Sequence, residues 1–259
     1  MPTAPFQSRE LRAAIEAAKA AGDVIAPLFR ANVAVELKFD RSPVTEADTR
    51  AEHVIREVLL SHFPDHGFHG EEGGRSGADA ESIWLVDPLD GTKSFVRDTP
   101  FFSTQIALVR NGQIVLGVSA AGVYGEMAWA ERGRGAFLNG EPIRVSGIAR
   151  LDEAILSSGN IKTLAAGPRW GSYGALLQKV NRVRGYGDFL HYHLLARGCL
   201  DLVVESDVNI LDIAALSVIV TEAGGRFTDF AGRSIGMETT TVLASNGLLH
   251  ETLRAQLMG

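Results

Sequence analysis

Four apolar residues, Ile83-Trp84-Leu85-Val86, run without a break into Asp87-Pro88-Leu89-Asp90-Gly91-Thr92. An apolar run this short, bounded by turn residues, predicts a buried strand, and the proline and glycine that follow forbid its continuation. Two carboxylates three residues apart are thereby held by a rigid proline at the mouth of a buried strand, where their repulsion is costly unless a cation lies between them. The backbone carbonyl of Leu89 adds a third hard oxygen. Oxygen-only ligands select magnesium, manganese or calcium over zinc, and magnesium is the usual choice where a phosphate completes the coordination. A helix beginning at Gly91-Thr92 would also turn free N–H groups toward phosphate oxygens.

The rest of the chain supplies no positive surface of its own. It carries 25 Lys and Arg against 31 Asp and Glu, a formal charge of −6, with no basic cluster, which excludes a nucleic-acid-binding surface. With 46% hydrophobic and 22% charged residues over 259 positions, the chain has the make-up of an ordinary globular protein, one large domain or two small ones sharing a core. Cys199 is the only cysteine, so no internal disulfide forms and a reducing compartment fits best. The first ten residues lack a basic start followed by an apolar region, and no apolar run approaches the roughly 18 residues that span a bilayer. The expectation is a cytoplasmic protein that engages neither membrane nor nucleic acid.

Helical spacing of Leu11, Ile15, Ala18, Ile25 and Leu28 predicts an amphipathic helix over 11–29, and Ala51, Val54, Ile55, Val58 and Leu59 predict a second from Thr45 to about Phe63. Strand-like segments 104–110 and 113–119 flank Asn111-Gly112, a type I′ hairpin signal, and Asn139-Gly140 follows strand-like 126–131. The middle of the chain thus reads as an antiparallel sheet. Beyond about Val145 strands and helices alternate: strand 155–158, helix 173–183, helix 190–197, strand 202–205, helix 212–223 closed by Gly224-Gly225, strand 239–244 and helix 248–257. Two halves follow, 1–145 and 146–259, packed as one unit without a flexible linker.

Three further acidic elements accompany the central one. Gly70-Glu71-Glu72-Gly73-Gly74 places a doubled acid among glycines that would let backbone approach an ion. In Ser42-Pro43-Val44-Thr45-Glu46-Ala47-Asp48, Thr45 reads as a helix N-cap with Asp48 at the third helical position, and Asp212 opens an apolar helix. Each alone has a plain structural explanation: a turn cap for Asp87 and Asp90, a solvated loop for Glu71, helix caps for Asp48 and Asp212. The histidines offer little as an alternative, because Pro64 and Gly67 break the helical spacing of His62, His66 and His69 that a zinc site would need.

Taken in order, Pro-Val-Thr-x-Ala-Asp, Gly-Glu-Glu, Asp-Pro-Leu-Asp-Gly-Thr and a late Asp before an apolar helix ending Glu-Ala-Gly-Gly resemble the inositol monophosphatase superfamily over nearly the whole chain. The resemblance implies an α/β (α+β) fold, a layered α-β-α-β-α sandwich, and a homodimer. It implies Glu71, Asp87 and the Leu89 carbonyl as ligands of one magnesium and Asp87, Asp90 and Asp212 as ligands of a second, with a third, weaker ion near Glu71 and manganese able to substitute. Gly91 and Thr92 would hold the phosphate. Asp48 and Thr92, with Glu71 close by, would orient and deprotonate the attacking water. The reaction so implied is direct in-line hydrolysis of a small phosphate monoester.

Within the superfamily, Gly91-Thr92-Lys93-Ser94-Phe95-Val96-Arg97 and Gly185-Tyr186-Gly187-Asp188-Phe189 look more like the histidinol-phosphate phosphatases than the inositol phosphatases. Asp188 and Glu205 fall where the family contacts the alcohol of its substrate, and two carboxylates suit the ammonium group of histidinol phosphate. The alternatives are an inositol-1-phosphate phosphatase, a bisphosphate nucleotidase, or a non-catalytic binding protein; the last fits poorly with five retained acids, Asp48, Glu71, Asp87, Asp90 and Asp212. Two departures stand out: Leu211 where many relatives have Trp, and Asp98 where relatives commonly have Gly.

Overall fold

The computed structural model describes residues 7–31, 34–37 and 43–258; Ser42 of the early motif lies outside them. The first helix, α1 (Arg9–Leu28), is capped by Ser8, whose hydroxyl accepts the Leu11 N–H at 3.0 Å, and it buries Leu11, Ala14, Ala18, Ala21 and Ile25. Strands β1 (Val35–Leu37) and β2 (Pro43–Thr45) form a small antiparallel pair leading into α2 (Glu46–His62).

There follow β3 (Gly67–Gly70), β4 (Gly74–Ser76), β5 (Ser82–Asp90), the short α3 (Thr92–Val96), β6 (Ser103–Arg110), β7 (Gln113–Ala121), β8 (Glu126–Glu131), β9 (Ala136–Leu138) and β10 (Glu141–Ile143). Their strands make one sheet in the order β10-β9-β8-β7-β6-β5-β3-β4, antiparallel except where β3 lies parallel to β5. The later part holds β11 (Ile155–Ser157), α4 (Lys162–Ala166), α5 (Trp170–Leu177), β12 (Arg182–Arg184), α6 (Asp188–Ala196), β13 (Leu202–Ser206), α7 (Ile210–Glu222), β14 (Arg226–Thr228), β15 (Thr241–Ser245) and α8 (His250–Met258). A second sheet runs β12-β11-β13-β15-β14.

The alternation of side chains along each strand sets the layers. Trp84, Val86, Ile106, Leu108 and Val118 of the large sheet pack on α1 and α2. Leu85, Ala107, Ala128 and Ala130, on the opposite face, meet α6 and α7, which also cover Val203, Val242 and Ala244 of the second sheet. The far face of that sheet, with Leu156, Leu202, Val204 and Leu243, is closed by α5 and α8 through Leu176, Leu253 and Leu257. The result is the α-β-α-β-α sandwich, with each fully buried Leu, Ile or Val contributing about 1.5–3 kcal/mol.

The hydrophobic pattern locates most elements to within a few residues, and the hairpin at Asn111-Gly112 has positive φ at both positions, 50° and 74°, as a type I′ turn requires. Two expectations are corrected. The buried strand does not end at Val86 but continues to Asp90: its register steps from Asp87↔Gln105 to Asp90↔Ser103, so one extra residue sits in β5 and Pro88 occupies a bulge where its missing N–H costs nothing. The stop comes at Gly91, with φ 89°. The expected helix 173–183 is α5 followed by the edge strand β12, whose Arg182 and Val183 are exposed and therefore carry no burial pattern.

Helix α7 lies directly on β7. A Cβ at Gly117 would stand 2.5 Å from the Ala215 carbonyl oxygen and 2.6 Å from its Cα, so only glycine admits this approach. The N-terminal end of α7, with Asp212, is thereby brought to the end of β5.

Candidate active site

The acids foreseen from sequence converge at the C-terminal end of β5. Carboxylate oxygens of Asp87, Asp90 and Asp212 lie within 4.8 Å of one another. Glu71 follows β3 directly; its N–H donates to the Val86 carbonyl at 3.2 Å, and its side chain is hydrogen-bonded with Asp87. The loop carrying it is clamped by the buried Glu52 of α2, whose carboxylate accepts the N–H groups of Glu72 at 2.7 Å and Gly73 at 2.5 Å. Asp87 Oδ1 accepts the Leu89 N–H at 3.0 Å, closing an Asx turn across the bulge.

Asp212 is the third residue of α7 rather than its first, in a capping box with Asn209. The Asn209 N–H donates to Asp212 Oδ2 at 3.0 Å and its amide to Oδ1 at 2.6 Å, so both oxygens are oriented. Capping and site membership are thus the same geometry. The Asn209-x-x-Asp212 spacing was present in the sequence and could have placed the helix start two residues earlier.

The electrostatics of this cluster are those of a cation site. Burial first, then the charges of Glu71, Asp90 and Asp212, push Asp87 well above the ordinary carboxylate range. Asp90 is raised in the same way by burial, then by Asp188, Asp212 and Glu205. Asp212 is pushed up to about 6, chiefly by burial, against the stabilising N–H of Asn209. Every charge acting on Asp87 and Asp90 in this way is another carboxylate, a donor set that fits a hard divalent cation, whose charge would favour the ionised forms.

Beside this cluster, Thr92 opens α3 and its hydroxyl donates to Asp48 Oδ1 at 3.0 Å and to the Leu89 carbonyl at the same distance. Asp48 has no exposed surface, and its Oδ2 accepts both the N–H and the hydroxyl of Thr45 at 2.7 Å. Burial raises its pKa, opposed by the hydrogen bonds from Thr45 and Thr92. Gly91, the cap of α3, leaves no room for a side chain: a Cβ would meet the Phe101 carbonyl oxygen at 2.6 Å.

On the other side of Asp90, a crevice is lined by Asn160, Asp188, Tyr192, Glu205 and Asp212. Asp188 is half-buried at the start of α6, with φ 45°, following Gly187 at φ 68°. Burial and then the charge of Glu205 raise it to about 6, opposed by His191 and Lys93. Glu205 lies deeper, 3% exposed. Its Oε2 accepts from Tyr192 Oη at 2.7 Å and pairs with His191 Nε2 at 3.1 Å, while Oε1 accepts the Asn160 N–H at 3.1 Å. Burial pushes Glu205 up, but His191 and these hydrogen bonds outweigh it and the net shift is downward. His191 and Tyr192 gave no sequence signal as its partners because they join it only across the fold.

Asp98 and Leu211, the two departures, have simple surroundings. Asp98 adopts φ 57°, a left-handed conformation that glycine takes freely and Asp tolerates, and Leu211 is buried in the central core. Among the described residues no helix is long and apolar enough to cross a membrane.

Comparison with known proteins agrees with this geometry. Residues 7–258 match the profile of the inositol monophosphatase family. The histidinol-phosphatase of Mycobacterium tuberculosis is 40% identical over 228 residues, covering 86% of this chain and 87% of that protein. The inositol-1-monophosphatase of Caulobacter vibrioides is 38% identical over 224 residues, covering 83% and 86%. The solved structure of extragenic suppressor protein suhB from Bartonella henselae superposes with a TM-score of 0.90 at 32% identity, covering 96% of this chain and 98% of that one. With its acids gathered at the end of β5 and the match running from end to end, the chain belongs to the inositol monophosphatase family.

Proposed function

We propose that the chain is a magnesium-dependent phosphatase of a small phosphate monoester, and that its substrate is L-histidinol phosphate. The observation that carries the choice of ester is Asp188, which lines the crevice beside Asp90 with the buried Glu205 behind it and offers a part-exposed carboxylate to an ammonium group on the alcohol. A neutral polyol would bring Asp188 no cationic partner, whereas Glu205 is already answered by His191, Tyr192 and Asn160. The 40% identity to the Mycobacterium tuberculosis histidinol-phosphatase supports the same reading. Inositol-1-phosphate hydrolysis is the second reading, favoured by the similarity to the Caulobacter protein.

In this reading Glu71, Asp87, the Leu89 carbonyl, Asp90 and Asp212 hold two magnesium ions, with a third, weaker position near Glu71. Bound there, magnesium supplies Lewis-acid charge for the phosphoryl oxygens and the departing alkoxide and makes water more acidic. The chain's own groups do the rest. Gly91 and Thr92 present backbone N–H groups to the phosphate, and the absence of a side chain at Gly91 lets it approach, while the Thr92 hydroxyl is committed to Asp48. Thr92 accepts a hydrogen bond from the attacking water and passes the proton to Asp48, with Glu71 alongside. The water oxygen bonds to phosphorus as the ester oxygen leaves in line, so no phosphoenzyme forms.

The halves 1–145 and 146–259 divide this work: the first holds most of the cation ligands, the second brings Asp212, Asp188 and Glu205. A cytoplasmic homodimer completes the proposal. The deciding experiment is phosphate release from L-histidinol phosphate and inositol-1-phosphate with and without magnesium; turnover of the first at least about tenfold better supports the proposal, and equal or reversed preference refutes it.

A further inference from the structure

One buried polar chain leads away from Asp90 through the sheet. Ser103, opposite Asp90 in the ladder, donates its hydroxyl to Asp90 Oδ2 at 3.3 Å. Gln105, two residues on and on the same face, donates its amide to Ser103 Oγ at 2.8 Å and to Ser119 Oγ on β7 at 3.1 Å. Ser119 Oγ lies 2.9 Å from His193 Nε2, and His193 Nδ1 lies 2.9 Å from Glu126 Oε2. Glu126 Oε1 accepts in turn from Arg197 at 2.9 Å. Ser103, Gln105, Ser119 and His193 are each at most 1% exposed.

The hydrogens of this chain can run in one direction only. Glu126, paired with Arg197, is an acceptor, so the neutral His193 ring carries its hydrogen on Nδ1 and Nε2 must accept from Ser119. Ser119 then accepts from Gln105, which leaves the amide as donor to both serines. The Ser103 hydroxyl, already accepting from that amide, has Asp90 as its acceptor. Turning the Gln105 amide over would offer both serines a carbonyl oxygen, draw the Ser103 hydrogen away from Asp90 and leave His193 Nε2 without a donor. The arrangement persists although Gln105 Oε1 finds no partner among the described residues.

We propose that Gln105 is a positioning residue for Asp90: it keeps the Ser103 hydroxyl aimed at Asp90 Oδ2, in a direction dictated by His193 of α6 and by Glu126 of β8, three strands away from β5, and so presents the remaining Asp90 lone pairs to a cation. This rests on the reading of Asp90 as a cation-holding residue. Groups that orient a ligand from behind are worth about tenfold or more in metal affinity.

The test is manganese binding to metal-free protein without substrate, followed by electron paramagnetic resonance. Gln105→Met and Ser119→Ala are each expected to weaken binding about tenfold, and the double variant no more than Gln105→Met alone, since both cut one chain. Ser217→Ala, which removes a buried hydroxyl bonded to the Ala214 carbonyl and outside the chain, is expected to bind as the parent. Should Gln105→Met fail to fold, Ser119→Ala decides. Binding within about twofold of the parent in the folded variants, together with its loss in Asp90→Asn, overturns the inference and leaves the cation site standing. Undiminished binding in Asp90→Asn overturns both.

Discussion

Thr92 donates its hydroxyl to Asp48 Oδ1 at 3.0 Å, joining the first residue of α3 to the third of α2. The opposite oxygen of Asp48 is fixed by two contacts from Thr45, so this carboxylate cannot swing away from Thr92. Removing the hydroxyl while keeping the shape, Thr92→Val, is expected to lower kcat about a hundredfold with KM changed much less, the range for a lost acid-base partner. Steady-state kinetics check it: a raised KM at unchanged kcat would assign Thr92 to binding alone.

Metal-free protein is expected to lose stability as pH rises. The folded-state pKa of Asp212 stands near 6 against about 4 for an ordinary aspartate, and Asp188 is raised alike. Over that window the folded chain binds more protons than the unfolded one, so the contribution is complete below about 4 and gone above about 6. Magnesium reverses the trend by binding only the ionised, folded site. Thermal melts at pH 4.5 and 7.5, with and without magnesium, should show a larger magnesium-induced rise in Tm at the higher pH; a rise independent of pH would contradict it.

Gly91→Ala combines a left-handed φ of 89° with a 2.6 Å encounter with the Phe101 carbonyl. The expected cost is about 1–3 kcal/mol of stability, read by urea denaturation, and a larger proportional loss of activity because the phosphate approach narrows. A variant as stable and active as the parent would show that this turn relaxes freely.

Asp188→Asn is expected to reduce kcat/KM for histidinol phosphate roughly tenfold and leave a phosphate ester of an uncharged alcohol nearly unaffected, because a charge-assisted hydrogen bond is worth about 1.5–3 kcal/mol. An equal loss on both esters would point to a structural role at the start of α6.

Much of this could be read from the residues. The period of apolar positions gave α1, α2 and the hairpins, because those faces are amphipathic and the turns need Asn-Gly. The meeting of Asp87, Asp90 and Asp212 was foreseen only through the family resemblance carried by the order of the motifs, since each acid alone reads as a cap or a turn. What escaped was whatever depended on neighbours distant in sequence: the bulge that carries β5 past Pro88, the exposed edge strand β12, and the partners His191 and Tyr192 that hold Glu205. The Ser103, Gln105 and Ser119 relay was visible only as polar residues in alternate strand positions, which without a fold reads as a solvated face.

The seat of α7 on Gly117 carries one more consequence. Asp212 reaches its companions only after the later part of the chain has docked on the earlier sheet, so a half-synthesised or loosely folded chain owns an incomplete set of acids. In the two-ion reading proposed above, only the position built from Asp87, Asp90 and Asp212 waits for that docking, so its occupancy, unlike that of a position made by the earlier sheet alone, would report chains that have folded to completion.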